Sequence, residues 1–209
     1  MCGCAPLSAS LLSLDGPAGP LEARLDAPAA VSGIALLCHP HPLYGGSMHD
    51  GVLAAATEVL QDCGFACLRF NFRGVGGSAG HHDDGRGEVE DALAASACLR
   101  DRYPGLPLTL LGYSFGARIA WASAAGSGAD RLLLVAPPVA MMDFSGPAPA
   151  GSAVGVIVGS EDPYAPAPAV EGWAHGLVPP APVHVLPGID HFFQDGQALL
   201  ARALRALLP

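Results

Sequence analysis

The sequence predicts an α/β fold: an eight-stranded, mostly parallel sheet with an N-terminal antiparallel hairpin and helices on both faces. Two observations support this prediction. Six short apolar runs alternate with helix-like segments, and such alternation is typical of parallel sheets covered by helices. Apolar residues make up 51% and charged residues 14% of the 209 residues, a balance that excludes a disordered chain. Because repeats and long linkers are lacking, we expect one domain over residues 1–209.

The hairpin comes first along the chain. Leu7–Leu14 and Leu21–Ala27 are the two predicted strands, and the Gly- and Pro-rich residues 15–20 between them predict a turn. The later strands are almost wholly apolar, as expected for strands that are buried on both faces. They are predicted over residues 34–38, 65–70, 108–113, 131–136, 153–158 and 183–186.

Helices fill the gaps between these strands. Gly64 and Pro104 end the first two, since glycine favours the C-terminal end of a helix and proline cannot continue one. The predicted helices span residues 50–63, 88–103, 115–125, 170–177 and 192–208. In sheets of this kind ligands bind beyond the carboxyl ends of the strands, so we expect the chemistry directly after the strands.

The composition of the chain argues against several partners. The net charge is −9 and all ten basic residues are arginine, so we expect no nucleic-acid partner. No apolar run approaches the roughly 18 residues of a membrane-spanning helix, and we expect no membrane partner. The first residues lack the pattern of a signal peptide, which favours a reducing, cytoplasmic setting. In that setting we expect the six cysteines to form no disulfide framework.

A candidate nucleophile lies in Gly112–Gly116, which reads Gly-Tyr-Ser-Phe-Gly and follows an apolar strand. A sharp turn from strand to helix exposes the hydroxyl of its central residue, Ser114, and the flanking glycines let strand and helix approach without Cβ clashes. The N-terminus of the following helix favours a developing negative charge. A glycine-rich turn with an incidental serine is the alternative interpretation.

A serine nucleophile needs a base, and the base needs an acid that orients it. Asp162 follows the seventh predicted strand and His191 follows the eighth, so both lie at the expected edge of the sheet. Glu161, Asp190 and Asp143 are competing acids. Adjacent residues on a turn usually point apart, so Asp190 is poorly placed to reach His191, and we favour Asp162.

A tetrahedral intermediate also needs N–H donors for its oxyanion. One is expected from the backbone of Phe115, directly after the serine. The other is expected from the loop His-Pro-His-Pro-Leu-Tyr-Gly-Gly after the third strand, whose prolines have no N–H. His41 and Leu43 are the nearest donors there, and we favour the backbone of His41. Leu43, Tyr44 and Tyr113 are also candidates for the wall of the substrate pocket.

Together these motifs resemble those of the α/β-hydrolases over nearly the whole chain, including the order Ser114, Asp162, His191. Arg69–Ser78 and the His-Pro-His-Pro loop resemble a compact bacterial subgroup without a cap, akin to small esterases and dienelactone-hydrolase-like proteins. Dienelactone hydrolases use a cysteine nucleophile, so Ser114 argues against that activity. The resemblance implies hydrolysis of a small carboxylic ester and does not name the substrate.

The segment 137–152 is where larger α/β-hydrolases often insert a helical lid. Its sixteen residues are rich in proline and glycine, so the segment can form a flap and not an independent cap. Met141 and Met142, with Phe144, either edge the substrate pocket or pack in the core. A site without a cap favours small or accessible acyl substrates and gives up the water exclusion of a closing lid.

Other functions are weaker. The histidine pairs at 39 and 41 and at 81 and 82 lack metal-ligand spacing, and we expect residues 81–84 to be a solvated loop, with no metal and no cofactor. Gly74–Ser78 resembles a phosphate loop but lacks its lysine. A thioesterase or a small amidase or peptidase is the runner-up, and a non-catalytic scaffold is the alternative from another class. The oligomeric state is not predicted.

The predicted mechanism is that of a serine hydrolase, a carboxylesterase in the first instance. His191, held in one tautomer by Asp162, takes the proton of Ser114, whose oxygen attacks an acyl carbonyl. The N–H groups of Phe115 and His41 hold the oxyanion. His191 then protonates the leaving alcohol and activates water to hydrolyse the acyl-enzyme.

Overall fold

The computed structural model describes residues 8–146 and 148–208. Its strands, β1 to β8 in chain order, are Ser8–Gly16, Gly19–Ala27, Gly33–Cys38, Phe65–Phe70, Leu108–Tyr113, Arg131–Val135, Ala153–Gly159 and Val183–Leu186. Its helices, α1 to α5, are Gly51–Asp62, Arg86–Arg102, Phe115–Ser127, Ala167–His175 and Gln197–Leu207. The predicted strand start at Leu7, the N-terminal residues in which no signal peptide is expected, Cys2, Cys4 and Pro147 lie outside the described residues.

The strands form one sheet in the order β1-β2-β4-β3-β5-β6-β7-β8. β2 pairs antiparallel with β1 and with β4, and every other neighbouring pair is parallel. The predicted fold class is therefore confirmed. The described residues between β6 and β7 form turns and bends and no helix, in agreement with the predicted lack of a cap.

The helices form layers on the sheet. Every residue of β3, β4 and β5 is buried, so both faces of the central sheet are covered. α1 packs against α5, and α2 packs against α3. Asp50 caps α1, because its carboxylate accepts hydrogen bonds from the first N–H groups of that helix. At the C-terminal end of α3, Gly128 adopts φ 64°, the left-handed conformation that commonly ends a helix.

Several predicted boundaries differ from the structure by a few residues, as for α4, which spans Ala167–His175 where residues 170–177 were expected. The hairpin strands run to Gly16 and resume at Gly19, which leaves a two-residue turn where six turn residues were expected. Gly19 has φ 115°, a value that lets the chain reverse so tightly. The last helix begins at Gln197 and not at residue 192, because Phe193 has φ 54°, which is incompatible with a helix. His191 consequently lies in a loop.

The structure also shows the state of four cysteines and the lengths of the helices. Cys38, Cys63, Cys67 and Cys98 are free thiols. Burial raises the pKa of Cys38 and of Cys67, so these two behave as small apolar core residues. Across the residues that the structure describes, no helix is both long and apolar enough to cross a membrane.

Candidate active site

The turn between β5 and α3 holds Ser114 at φ 54° and ψ −118°, a conformation that residues other than glycine rarely adopt. Its N–H donates to the carbonyl of Val135 at 2.9 Å, which ties the turn to β6. A Cβ at Gly112 would lie 2.1 Å from the carbonyl oxygen of Gly116, and a Cβ at Gly116 would lie 2.1 Å from that of Cys38. Both flanking positions therefore require glycine.

Three side chains from three loops meet at this turn. Nε2 of His191 lies 2.9 Å from Oγ of Ser114, and Nδ1 lies 2.7 Å from Oδ2 of Asp162. The other carboxylate oxygen of Asp162 accepts the N–H groups of Tyr164 and Ala165, both at 2.8 Å, which fixes its orientation. In such a row, a neutral histidine can accept the serine proton while the carboxylate holds its tautomer.

The three competing carboxylates lie elsewhere. Asp190 is exposed and accepts the N–H of Phe192 at 2.9 Å, and Glu161 is exposed as well. Asp143 is exposed and accepts the N–H of Ser145 at 2.8 Å. Hydrogen bonds from Ser145 hold the pKa of Asp143 below its usual range. Each of the two competing aspartates thus closes its own turn, and Asp162 is the acid that the structure brings to the imidazole.

A cavity of about 510 Å³ opens at Ser114. Most of the residues proposed from the sequence as pocket wall line this cavity, namely Tyr44, Tyr113, Met141 and Met142. Leu43 lies outside it and is 69% exposed. Phe144 is buried among Trp121 and Trp173, with ring centroids 6.4 and 5.4 Å away, so this part of the 137–152 segment packs in the core.

Two residues of the cavity wall have a backbone N–H group without an acceptor among the described residues. Phe115 is the first residue of α3, where the helix offers no carbonyl to its N–H. In the other loop, the N–H of Leu43 donates to Nδ1 of His41 at 3.3 Å, and the N–H groups of Tyr44 and Gly46 donate to its carbonyl at 3.1 Å. The N–H of His41 donates to no acceptor within residues 8–146 and 148–208. Both Phe115 and His41 line the cavity.

The conformation of that loop depends on His39, a residue for which the sequence predicts no role in the site. Its Nδ1–H donates to the carbonyl of Pro40 at 2.6 Å, and its Nε2 accepts the N–H of Phe72 at 3.1 Å. These two partners fix one neutral tautomer, and burial lowers the pKa of His39 to about 4. The available signal was a histidine directly after a buried strand, since a buried imidazole needs a partner for each nitrogen.

This arrangement predicts how stability depends on pH. His39 binds a proton near pH 6.5 in the unfolded chain and near pH 4 in the folded protein. The unfolded state therefore binds more protons between these values, and the free energy of unfolding should fall by up to roughly 3 kcal/mol as pH falls from 6.5 to 4. Urea titrations across this range measure the decline. The His39→Gln variant cannot titrate there and should decline less; equal slopes would contradict the prediction.

Further contacts support the site from behind. The hydroxyl of Tyr113 donates to the carbonyl of His191 at 2.7 Å, so a residue expected in the pocket wall also holds the histidine loop. Within the 69–78 segment, the guanidinium of Arg73 donates two hydrogen bonds to the carboxylate of Asp91, at 2.8 and 3.0 Å. Oδ1 of Asn71 accepts the N–H of Met48 at 2.8 Å, which anchors the far end of the loop after β3.

The 81–84 segment is a loop with exposed ends, as expected, but one of its side chains is turned inward. The side chain of His82 is only 10% exposed, and its Nδ1 lies 2.7 Å from the fully buried carboxylate of Glu88. Its ring centroid lies 5.0 Å from that of His41, so it packs behind the cavity wall. Among the described residues, no group of three or more histidine, cysteine or acidic side chains is arranged to hold a metal ion.

Comparisons with known proteins identify the family and the fold of the chain. A family model, Hydrolase_4, described as serine aminopeptidase, S33, matches residues 31–160. An uncharacterised protein of Rickettsia prowazekii is 38% identical over 205 residues, 93% of this chain and 86% of that protein. The crystal structure of an α/β serine hydrolase without a lid from Xanthomonas campestris is 36% identical, with a TM-score of 0.89 over 98% of this chain and 97% of that one. An α/β serine hydrolase homologue from Coxiella burnetii is 32% identical, with a TM-score of 0.90 over 96% of this chain and 97% of that one.

Proposed function

This chain belongs to the Hydrolase_4 family of α/β serine hydrolases, among members without a lid, and we propose that it hydrolyses small carboxylic esters. The observation that carries the proposal is the hydrogen-bonded row of Ser114, His191 and Asp162, with its distances of 2.9 and 2.7 Å. An apolar, open cavity at the serine suits a small acyl group that enters directly from solvent.

In the proposed acylation step, Nε2 of His191 accepts the proton of Ser114 while Oγ attacks the ester carbonyl. The carboxylate of Asp162 stabilises the imidazolium that forms and keeps Nδ1 protonated. The N–H groups of Phe115 and His41 stabilise the negative charge on the former carbonyl oxygen. The imidazolium then gives its proton to the departing alkoxide, which leaves an acyl-enzyme and a free alcohol.

Deacylation repeats the same proton transfers with water as the nucleophile. Neutral His191 takes a proton from a water molecule, and the resulting hydroxide attacks the acyl carbonyl of the intermediate on Ser114. Collapse of the second tetrahedral intermediate returns the proton to the serine oxygen and releases the carboxylic acid. The described residues form no lid over this cavity, so we expect water to reach the intermediate without a conformational change.

The oxyanion role of His41 can be tested by removing one N–H group. His41 has φ −57°, which proline can adopt, so His41→Pro deletes the N–H while keeping the local backbone angle. We expect kcat to fall about 10²- to 10³-fold, as for the loss of one oxyanion donor elsewhere.

The matched control is His41→Ala, which keeps the N–H and removes the ring that packs 4.8 Å from Phe115. Its kcat should fall much less than that of His41→Pro, measured on the same ester. If the proline variant keeps the wild-type kcat, the second donor is a different group.

Labelling tests the proposed function itself. A fluorophosphonate reagent followed by peptide mapping should modify Ser114 alone, and p-nitrophenyl esters of short acyl chains should be turned over. A thioester and an anilide with the same acyl group discriminate the alternatives that use the same three side chains. Faster turnover of the thioester or the anilide would replace the esterase assignment by thioesterase or amidase. Absence of both labelling and turnover would indicate a non-catalytic scaffold.

A further inference from the structure

The wall of the cavity contains a carboxylate that the mechanism does not use, that of Asp50. Its Oδ1 caps α1 by accepting the N–H groups of Val52 at 2.8 Å and Leu53 at 3.4 Å. Its Oδ2 accepts no hydrogen bond from any residue of the described ranges. Since capping occupies one oxygen, the second oxygen remains available to a molecule bound in the cavity.

The negative charge of Asp50 has no cation opposite it. No arginine lines the cavity within the described residues, and the chain contains no lysine. Burial first, and then the charge of His82, lower the pKa of His41, so this imidazole does not supply a positive charge at neutral pH. Burial raises the pKa of Tyr113, and nearby carboxylates, Asp50 foremost, raise it further. Burial raises the pKa of Asp50 itself, and where this carboxylate is ionised the electrostatic potential near its free oxygen is negative.

Aromatic rings occupy much of the remaining wall. They belong to Tyr44, Tyr113, Phe115, Tyr164 and Phe192. Tyr44, Tyr164 and Phe192 are 87%, 45% and 56% exposed, so apolar surface continues from the cavity to its mouth. The faces of such rings attract cations, and ammonium groups are commonly bound where aromatic faces meet a carboxylate.

From this combination we propose that Asp50 selects substrates by charge, and that the site takes esters that carry an ammonium cation on an apolar body. The inference rests on the proposed ester hydrolysis and specifies its substrate class. The cation binds near Oδ2 of Asp50 and the aromatic rings, while the acyl carbonyl reaches Ser114. The same carboxylate repels esters that carry an anionic group in addition to the ester group, because like charges brought together without a cation are unfavourable.

Isosteric esters provide the test. The p-nitrophenyl ester of 4-(trimethylammonio)butanoate is compared with that of 5,5-dimethylhexanoate, which replaces the nitrogen by carbon, and with the hemiester of glutarate, which is anionic. Acetylcholine and 3,3-dimethylbutyl acetate form the matching pair in which the alcohol part of the ester carries the cation or its carbon isostere. At pH 8, above the usual pKa range of carboxyl groups, kcat/KM should favour the cation over its neutral isostere on the order of tenfold in at least one pair. The anionic ester should be the poorest.

The Asp50→Asn variant keeps the capping oxygen, since asparagine is an equally good N-cap, and removes the charge. The ratio of kcat/KM for cationic and neutral isosteres should fall to near one. Asp143→Asn is the matched control, because it removes one charge from an exposed turn outside the cavity and should keep the wild-type ratio. In the wild type alone, raising the ionic strength from about 0.02 to about 0.5 M should also lower the ratio.

The outcomes separate the two proposals. A ratio near one for both pairs in the wild type overturns the charge selection while ester hydrolysis stands. A high ratio that persists in Asp50→Asn overturns the role of Asp50. Failure of every ester, neutral ones included, overturns the proposed function and the charge selection with it.

Discussion

Replacing Ser114 with alanine is expected to lower kcat for short p-nitrophenyl esters by about 10⁶-fold. The reason is that the acyl-enzyme cannot form without Oγ, and the base at 2.9 Å then has no proton to accept. A residual rate of about 10³- to 10⁴-fold over water should remain, because the proposed oxyanion donors, the N–H groups of Phe115 and His41, are still present.

The Ser114→Ala protein should keep its fold, since the only side-chain hydrogen bond that the serine makes among the described residues, to Nε2 of His191, lies at the open cavity and not in the apolar core. Alanine at φ 54° is as strained as serine, so we expect little change in the free energy of unfolding. Ser127→Ala, at the far end of the same helix, is the matched control and should keep full activity. A Ser114→Ala protein with the wild-type rate and fluorophosphonate labelling would sink the assignment of the nucleophile.

Replacing Asp162 with asparagine is expected to lower kcat by about 10⁴-fold. The side-chain oxygen of asparagine can still accept the N–H groups of Tyr164 and Ala165, so the turn after β7 is retained. The amide NH₂ then faces His191 and favours the tautomer whose proton is on Nε2. That tautomer cannot accept the serine proton, so the loss should appear in kcat and much less in KM.

Asp143→Asn and Asp190→Asn are the matched controls for this substitution. Both carboxylates cap a turn through one oxygen, as Asp162 does, but neither contacts the imidazole. Single-turnover kinetics should show acylation near the wild-type rate in both controls. Full activity of Asp162→Asn together with a strong loss in Asp143→Asn would mean that another acid orients the base.

Without a cap, the segment between β6 and β7 forms part of the cavity wall. The segment between β6 and β7 contributes Met141 and Met142 to the cavity wall, while its next aromatic residue, Phe144, is buried against two tryptophans. One short segment therefore both closes the core and edges the site. Under the proposed charge selection, substrates are then distinguished by the cavity wall and its charge and not by a closing domain.

The local pattern of apolar residues, glycine and proline was sufficient to predict the order of strands and helices along the chain. A strand buried on both faces must be apolar throughout, and the turn around Ser114 must carry glycine where a Cβ would strike backbone. The closing helix shows the limit of such patterns. Residues 192–196 suit a helix in composition, yet Phe193 adopts φ 54° because the loop must carry His191 back to the serine.

The sequence by itself thus determined the fold class, the turn at Ser114 and the candidates for base and acid, because strand burial and turn chemistry depend on neighbouring residues. Tertiary structure alone decided which carboxylate meets His191, that His39 anchors the loop after β3, and that Asp50 stands in the cavity wall. The physical reason is that the direction of a side chain depends on the backbone angles of its loop and on packing between segments far apart in the chain. Neither of these can be derived from the neighbouring residues alone.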